Sequence, residues 1–370
     1  VKVAIAVLDY LPSVGGSVRV VQLLAEGVAK RGNEVTVVTR EKTGCPTEES
    51  IGGVRVLRIP MRHLAGYRLP KGYLRTLRTL DADVFHVHGN RIWNVDYYLP
   101  FAGSFDWPQV ITPHGFYHYW MRSGPVRYLY YNQYFSRRIR KFDRYVALTA
   151  GEANHVLSWR YPPERLSVIP NGIEVEEFDT PPYLDTKITR EWLGLRTKKV
   201  AVYVGGFWDN KRVDRLIEAI ARTNGEWGLV EIGNDRPGHP YDREHCLALT
   251  RSLGTRAVFL RELSRSALLD IFHAADAYVQ GSAFEGFGIT LLEAMAADLP
   301  FVAFDSGAAR ELAATGAGRV VATPEEMARA LGDIPSWYTP GTGRKAVTNW
   351  TAEKMVDRHV ALYESIRKER

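Results

Sequence analysis

Phe284-Glu285-Gly286-Phe287-Gly288-Ile289-Thr290-Leu291-Leu292-Glu293-Ala294-Met295-Ala296-Ala297 sets a glycine-rich loop directly against a run of strong helix formers. A loop running into a helix start presents free backbone N–H groups and the positive end of the helix dipole, which together suit phosphate. Glu285 stands in the loop, and Glu293 follows eight residues later in the first helical turns. Carboxylates accept hydrogen bonds from hydroxyls and repel phosphate. One carboxylate on each side of a phosphate cradle therefore suits a ligand with sugar hydroxyls on both sides of a diphosphate. A sugar nucleotide has that pattern. An amphipathic helix with a surface loop and two solvated glutamates fits the same spacing, and the motif alone does not separate them.

Bulk composition bounds the answer. At 370 residues the chain exceeds one ordinary core, so two domains of about 150–200 residues are expected. A hydrophobic share of 45% with 24% charged residues belongs to a globular chain, not a disordered one. No apolar run approaches the roughly 18–20 residues of a membrane span. Val1-Lys2-Val3-Ala4-Ile5-Ala6-Val7 reads as a buried strand with no basic leader or cleavage site, so no secretory signal is expected. Cys45 and Cys246 fall in different halves and match no metal spacing, which predicts free thiols in the cytoplasm. The net charge of +6 is uneven: residues 1–180 hold 23 Lys and Arg against 17 Asp and Glu, and residues 181–370 hold 25 of each. The excess points the first half toward an anionic surface.

Val3–Leu8 is a short continuous apolar run, the pattern of a strand buried on both faces of a parallel sheet. Gly15-Gly16 precede a helical period over Val18–Lys30 that stops at Arg31-Gly32, and Glu34–Thr39 is the next strand. The glycine pair lets a diphosphate or an acceptor approach the backbone, while the lack of G-x-G-x-x-G spacing argues against a dinucleotide. More strands are expected at Val54–Ile59, Asp83–His88, Gln109–Thr112 and Arg144–Thr149. Val168-Ile169-Pro170-Asn171-Gly172-Ile173 reads as a strand leading into an Asn-Gly turn, and the acidic run Glu174, Glu176, Glu177, Asp179 with Pro181-Pro182 as a linker. The pattern then restarts, with strands at Val200–Gly205, Leu229–Gly233, Ala257–Leu260, Ala277–Gln280 and Phe301–Phe304. Helices are expected at Ala150–Arg160, Val213–Arg222, Leu268–Ala275 and Trp350–Ile366.

Two stretches carry the basic excess. Arg62, His63, Arg68, Lys71, Arg75 and Arg78 interleave with leucines and tyrosines, and Arg137, Arg138, Arg140 and Lys141 follow Tyr128, Tyr130, Tyr131 and Tyr134. The first reads as a basic amphipathic segment for an anionic membrane surface, the second as an acceptor groove or a headgroup contact. A solvated helix flank and plain core packing fit equally. No RRM, KH or HTH pattern accompanies them, so no nucleic acid is expected. Histidines close two strands, in His86-Val87-His88-Gly89 and Thr112-Pro113-His114-Gly115, and ligands of open parallel sheets bind beyond such carboxyl ends. His88 is expected to bond backbone at its strand end.

The E-G-F-G-I-T-L-L-E-A-M-A-A of Glu285–Ala297 resembles the E-x7-E signature of retaining glycosyltransferases of family 4, the glycosyl transferases group 1, which have the GT-B fold. The resemblance runs through five landmarks in order: Gly15-Gly16, His114-Gly115, the V-I-P-N-G-I of Val168–Ile173, Lys211, and Glu285 to Glu293. It implies an α/β chain of two Rossmann-like domains facing across a cleft. An acceptor-side domain would span 1–180 and a nucleotide-sugar-binding domain 181–350, with a C-terminal helix over 350–370 packing back onto the first. The implied reaction moves a sugar, with its anomeric configuration retained, from a UDP-, GDP- or ADP-sugar to an acceptor hydroxyl. A lipid-linked or cell-envelope glycan acceptor would place a cytoplasmic protein peripherally at the inner face of the cell membrane.

The same resemblance assigns residues. His114 and Glu285 meet the transferring sugar, Glu293 the ribose, and Lys211 with the backbone of Gly288, Ile289 and Thr290 the diphosphate, while Gly286 and Phe287 stand with them on the donor side. Gly15, Gly16 and Gly205 line the donor side, and Arg261 stands near the base. Arg68, Lys71, Arg75, Arg78, Arg137 and Arg138 are the candidate acceptor or membrane contacts. No D-x-D sequence occupies a plausible loop, so neither a metal nor another cofactor is expected. The chain departs from the family pattern at Gly206, where an arginine is usual, and Arg212 beside Lys211 is the candidate substitute. A sugar-nucleotide epimerase or phosphorylase of similar fold and a non-catalytic sugar-nucleotide or membrane-surface binder stay open.

Overall fold

The computed structural model describes residues 1–64, 67–89, 93–115, 128–195, 197–235, 242–261 and 263–369, of which 63, 64, 67, 68 and 93 are described by backbone alone. The chain forms two compact units, Val1–Ile173 with Trp350–Arg370, and Glu174–Asn349. The division expected after residue 180 falls after Ile173. The acidic run read as a linker is a short 3-10 helix, Val175–Asp179, whose Val175 and Phe178 are buried.

In the first unit the strands are β1 (Lys2–Ala6), β2 (Glu34–Arg40), β3 (Glu48–Ile51), β4 (Val54–Ile59), β5 (Met61–Leu64), β6 (Tyr67–Pro70), β7 (Val84–His88), β8 (Gln109–Thr112), β9 (Arg144–Ala147) and β10 (Leu166–Val168). Eight of them form one sheet in the order β10-β9-β8-β7-β1-β2-β4-β3, parallel except where β3 meets β4. Every residue of β7 and β8 is buried, as expected of strands covered on both faces. The C-terminal helix Ala352–Lys368 packs on the helix Gly16–Lys30, where Val356 lies against Gly27 and Arg31 Nε bonds Asp357 Oδ1 at 2.7 Å.

The basic amphipathic segment 62–78 is built from more than one element. It is an antiparallel hairpin of β5 and β6 followed by the short helix Tyr73–Arg78, with Tyr73 and Leu77 fully buried. The tyrosines of the second stretch also serve the core: Tyr131 and Tyr145 are fully buried, and Tyr130 donates its hydroxyl to Asp96. Residues 121–127 of that stretch lie outside the described residues. Among the described residues no helix is long and apolar enough to cross a membrane.

The second unit holds β11 (Lys199–Val204), β12 (Trp227–Ile232), β13 (Ala257–Leu260), β14 (Ala277–Gln280), β15 (Phe301–Phe304) and β16 (Gly318–Val321), all parallel, in the order β13-β12-β11-β14-β15-β16. Chain order runs outward in both directions from β11 and β14. That reversal leaves a crevice outside their carboxyl ends, the place where open α/β sheets take ligands.

Candidate functional site

The loops leaving β11 and β14 share that crevice. Ala283 N donates to the Asn210 carbonyl at 2.7 Å and Asn210 Nδ2 to the Phe284 carbonyl at 3.3 Å, so the two loops are tied together. The tie brings Lys211 to Glu285, 74 residues apart in sequence: Nζ donates to Oε1 at 2.6 Å. The same oxygen accepts the Ser282 hydroxyl at 2.7 Å. Neither side chain is sealed off, with 23% of Lys211 and 14% of Glu285 exposed, so an incoming ligand can reach both.

Three residues beyond Glu285 the chain turns into the helix Ile289–Ala296. Gly288 makes the turn at φ 96° and ψ 61°, a left-handed conformation that a side chain would strain, and no side chain caps the helix behind it. Phe287 is buried and anchors the loop, and Leu291 through Ala296 are all buried. The run is thus a core helix, which removes the reading as a solvent-facing amphipathic one. Thr290 Oγ1 accepts the Tyr278 hydroxyl at 2.7 Å. Glu293 is held by a residue that sequence reasoning did not single out: Arg265 Nη1 donates to its Oε1 at 2.6 Å. Arg265 also reaches Glu177 Oε2 through Nε at 2.9 Å and Nη2 at 2.6 Å, and lies 5.3 Å over the Phe178 ring. Glu177 and Phe178 belong to the run read as a linker.

Other donor-side expectations fare differently. Arg212 sits at φ 50° and puts its guanidinium on Asp214, with bonds of 2.7, 2.9 and 3.1 Å. At Gly206 an added Cβ would lie 2.6 Å from Trp208 Cδ1 and 2.7 Å from the Asn234 carbonyl oxygen, so this loop leaves no room for the arginine of the family pattern. Gly205 follows β11 directly, its N–H bonding the Ile232 carbonyl at 2.9 Å. Arg261 is exposed just after β13.

In the first unit, Gly15 and Gly16 stand where the helix Gly16–Lys30 begins. The loop before them is tied down by Arg58 Nη2 on the Leu11 carbonyl at 2.7 Å and by Arg40 on Asp9 at 2.7 and 3.0 Å. His114 follows β8 in the left-handed region at φ 58°, an uncommon conformation for a residue with a side chain. Its Nε2 lies 2.8 Å from His88 Nδ1, so His88 bonds a second histidine and not the backbone expected for it. Lys71, Arg75, Arg78 and Arg137 are exposed, and Arg138 is half-buried over the Tyr134 ring at 5.6 Å. The side chain of Arg68 lies outside the described residues.

Four histidines crowd together here, and burial keeps them neutral. It pushes His114 and His359 down to about 4, helped at His114 by the charge of His359. His86 and His88 are lowered well below the usual value by burial and by their neighbouring imidazoles. Each folded pKa lies below the unfolded 6.5, so the stability these groups confer is complete above pH 6.5 and is lost as pH falls through the folded values. His359→Asn should therefore flatten the slope of stability against pH between about pH 5 and 6.5 by up to about one proton, at most about 1.4 kcal/mol per pH unit near pH 5 and about half that at pH 6.5. Urea midpoints across that range measure it, and an unchanged slope would contradict the buried neutral state.

Comparison with known proteins follows the two units. Residues 14–177 match the model of Glycosyltransferase Family 4, and residues 185–339 match that of Glycosyl transferases group 1. The GDP-mannose:cellobiosyl-diphosphopolyprenol alpha-mannosyltransferase of Xanthomonas campestris is 24% identical over 312 residues, 80% of this chain and 77% of that protein. Sucrose-phosphate synthase from Thermosynechococcus elongatus superposes with a TM-score of 0.83 at 18% identity, covering 100% of both chains. Anabaena Alr3699/HepE in complex with UDP-glucose superposes with a TM-score of 0.78 at 17% identity, covering 98% of this chain and 99% of that one.

Proposed function

The chain is a glycosyltransferase of the family 4, group 1 type with the GT-B fold, and from that premise we propose that it transfers a hexose, with retention, from a nucleoside-diphosphate sugar to a hydroxyl of a lipid-linked or glycan acceptor. The observation that carries the reading is the Lys211–Glu285 pair set beside the uncapped helix start at Gly288. Departure of a diphosphate builds negative charge, and a preplaced ammonium with helix-start N–H groups stabilises it where it forms. Lys211 and the Gly288–Thr290 backbone take that role. Arg212 stays with Asp214, which leaves the side-chain cation to Lys211. Glu285 bonds the sugar hydroxyls, Glu293 the ribose hydroxyls, and His114 the sugar near its reacting carbon. No nucleophile is required if the leaving phosphate takes the acceptor proton on the same face.

A GDP-sugar is named for the Xanthomonas relative and UDP-glucose for the Anabaena structure, so the donor is drawn from the nucleoside-diphosphate sugars. The polyprenol in the relative's name supports a lipid-linked acceptor. Exposed Lys71, Arg75, Arg78 and Arg137 support an anionic membrane surface beside it.

A thermal-shift panel of UDP-, GDP- and ADP-hexoses tests the donor. The true donor at about 100 times its Kd stabilises by about 2.7 kcal/mol, a rise of several degrees, while the other bases leave Tm unmoved. No shift with any nucleotide sugar would end the reading. Retention is checked by the anomeric proton coupling of the product, and independence of metal by an unchanged rate in EDTA.

A further inference from the structure

His114 is backed by imidazoles that the proposed sugar chemistry does not use. His86 is fixed at both ring nitrogens, Nδ1 to the Tyr363 hydroxyl at 2.7 Å and Nε2 to Thr112 Oγ1 at 2.8 Å. His88 lies between two rings, 4.0 Å from the centroid of His86 and 5.1 Å from that of His114. Tyr363 belongs to the C-terminal helix, so this helix braces the ring against which His88 packs. Among the described residues the His88 side chain makes one hydrogen bond, between its Nδ1 and His114 Nε2 at 2.8 Å. Its Nε2 is buried and finds no partner among the described residues.

One proton lies between those two bonded nitrogens, and its side has chemical consequences. A neutral imidazole carries a proton on one nitrogen, and the bond made there sets the character of the other. With the shared proton on His114 Nε2, His88 would accept at Nδ1 and keep its own proton on Nε2, a buried N–H with no acceptor. Buried polar side-chain atoms mostly find partners, and among backbone groups an orphaned N–H is rarer than an under-satisfied acceptor. With the proton on His88 Nδ1, the buried Nε2 is a bare lone pair instead.

We propose that His88 is a positioning residue that donates from Nδ1 to His114 Nε2 and thereby holds His114 with its own proton on Nδ1. His114 is then a neutral hydrogen-bond donor to an oxygen of the sugar, not a base for the acceptor hydroxyl. The inference rests on the reading that His114 meets the sugar.

Long-range proton–nitrogen correlation on the full chain with 15N-labelled histidine tests the tautomer directly, His114 being assigned by the signals missing from His114→Gln. The expected spectrum shows His114 protonated at Nδ1; protonation at Nε2 overturns the proposal without reference to activity. His88→Phe keeps a ring and removes the donor. It should change the His114 tautomer and lower kcat at least about tenfold, with donor KM within about threefold. His88→Asn places an N–H near the lost Nδ1 and should recover most of the rate. An unchanged His114 spectrum in His88→Phe also overturns the proposal. If the spectra behave as expected but kcat stays the same in His88→Phe and in His114→Gln, the role of His114 at the sugar is what fails. Should His88→Phe not fold, the unsubstituted chain and His88→Asn still decide the tautomer.

Discussion

Glu285→Gln should lower kcat for sugar transfer about a hundredfold or more, and Lys211→Met should lower kcat/KM by a similar factor. Glu285 Oε1 receives two donors, the Lys211 ammonium at 2.6 Å and the Ser282 hydroxyl at 2.7 Å. An amide can still accept from both, so the loop keeps its shape. What goes is the negative charge that meets developing positive charge on the sugar, and the strength of charge-assisted bonds to its hydroxyls. Removing one preplaced electrostatic group of this kind costs about 10²–10³ in rate. The two substitutions touch one another, so their effects should not add: the double variant should lose less than the product of the single losses. Steady-state kinetics of the three variants checks this, with circular dichroism to confirm folding. A Glu285→Gln protein that consumes donor at the original rate would remove Glu285 from the chemistry.

Much of the fold can be read from local pattern because buried parallel strands announce themselves as short apolar runs. Ala277–Gln280 and Phe301–Phe304, buried at every residue, are found at the expected bounds. The failures have a common physical source, which is that a side chain's partner is set by topology. Segment 62–78 shows leucines and tyrosines among cations, a pattern that a hairpin followed by one helical turn satisfies as well as an amphipathic helix does. For Tyr131 a groove, headgroups and core packing fit the pattern equally, and the core takes it, since a tyrosine ring is a large apolar body with one polar tip. At the candidate site the types Lys211, Glu285 and Glu293 were visible, but not the pairings that orient them. Arg265 bonds Glu177 from 88 residues away, inside a run whose acidity suggested a linker. His88 and His114 stand 26 residues apart, and only the adjacency of β7 and β8 puts their rings in contact.

Gly172→Ala should destabilise the first unit by about 3 kcal/mol or more, an effect that the apparent Asn-Gly turn would not have suggested. In a turn, glycine supplies a left-handed backbone, and an alanine there costs about 1–2 kcal/mol. Gly172 is not among the residues of positive φ, so its role is different. The chain leaves the first unit after Ile173 and returns at Trp350, and the two passes are bonded to each other. Ile173 N donates to the Trp350 carbonyl at 3.0 Å and Ala352 N to the Ile173 carbonyl at 2.7 Å, with Gly172 N on Met355 Sδ at 3.3 Å. A Cβ at 172 would lie 2.5 Å from the Thr351 carbonyl carbon and 2.8 Å from the Ala352 nitrogen. Both are backbone atoms, so no rotamer can relieve the overlap, and separating the two passes breaks those bonds. Gly332→Ala is the matched control, because it ends the helix Pro324–Gly332 with open space around its Cβ position. There, alanine should be neutral or stabilising by up to about 1 kcal/mol. Equilibrium urea unfolding of both variants separates the outcomes. If Gly172→Ala unfolds at the original midpoint, the two passes of chain can part freely, and the close approach does not hold the C-terminal helix in place.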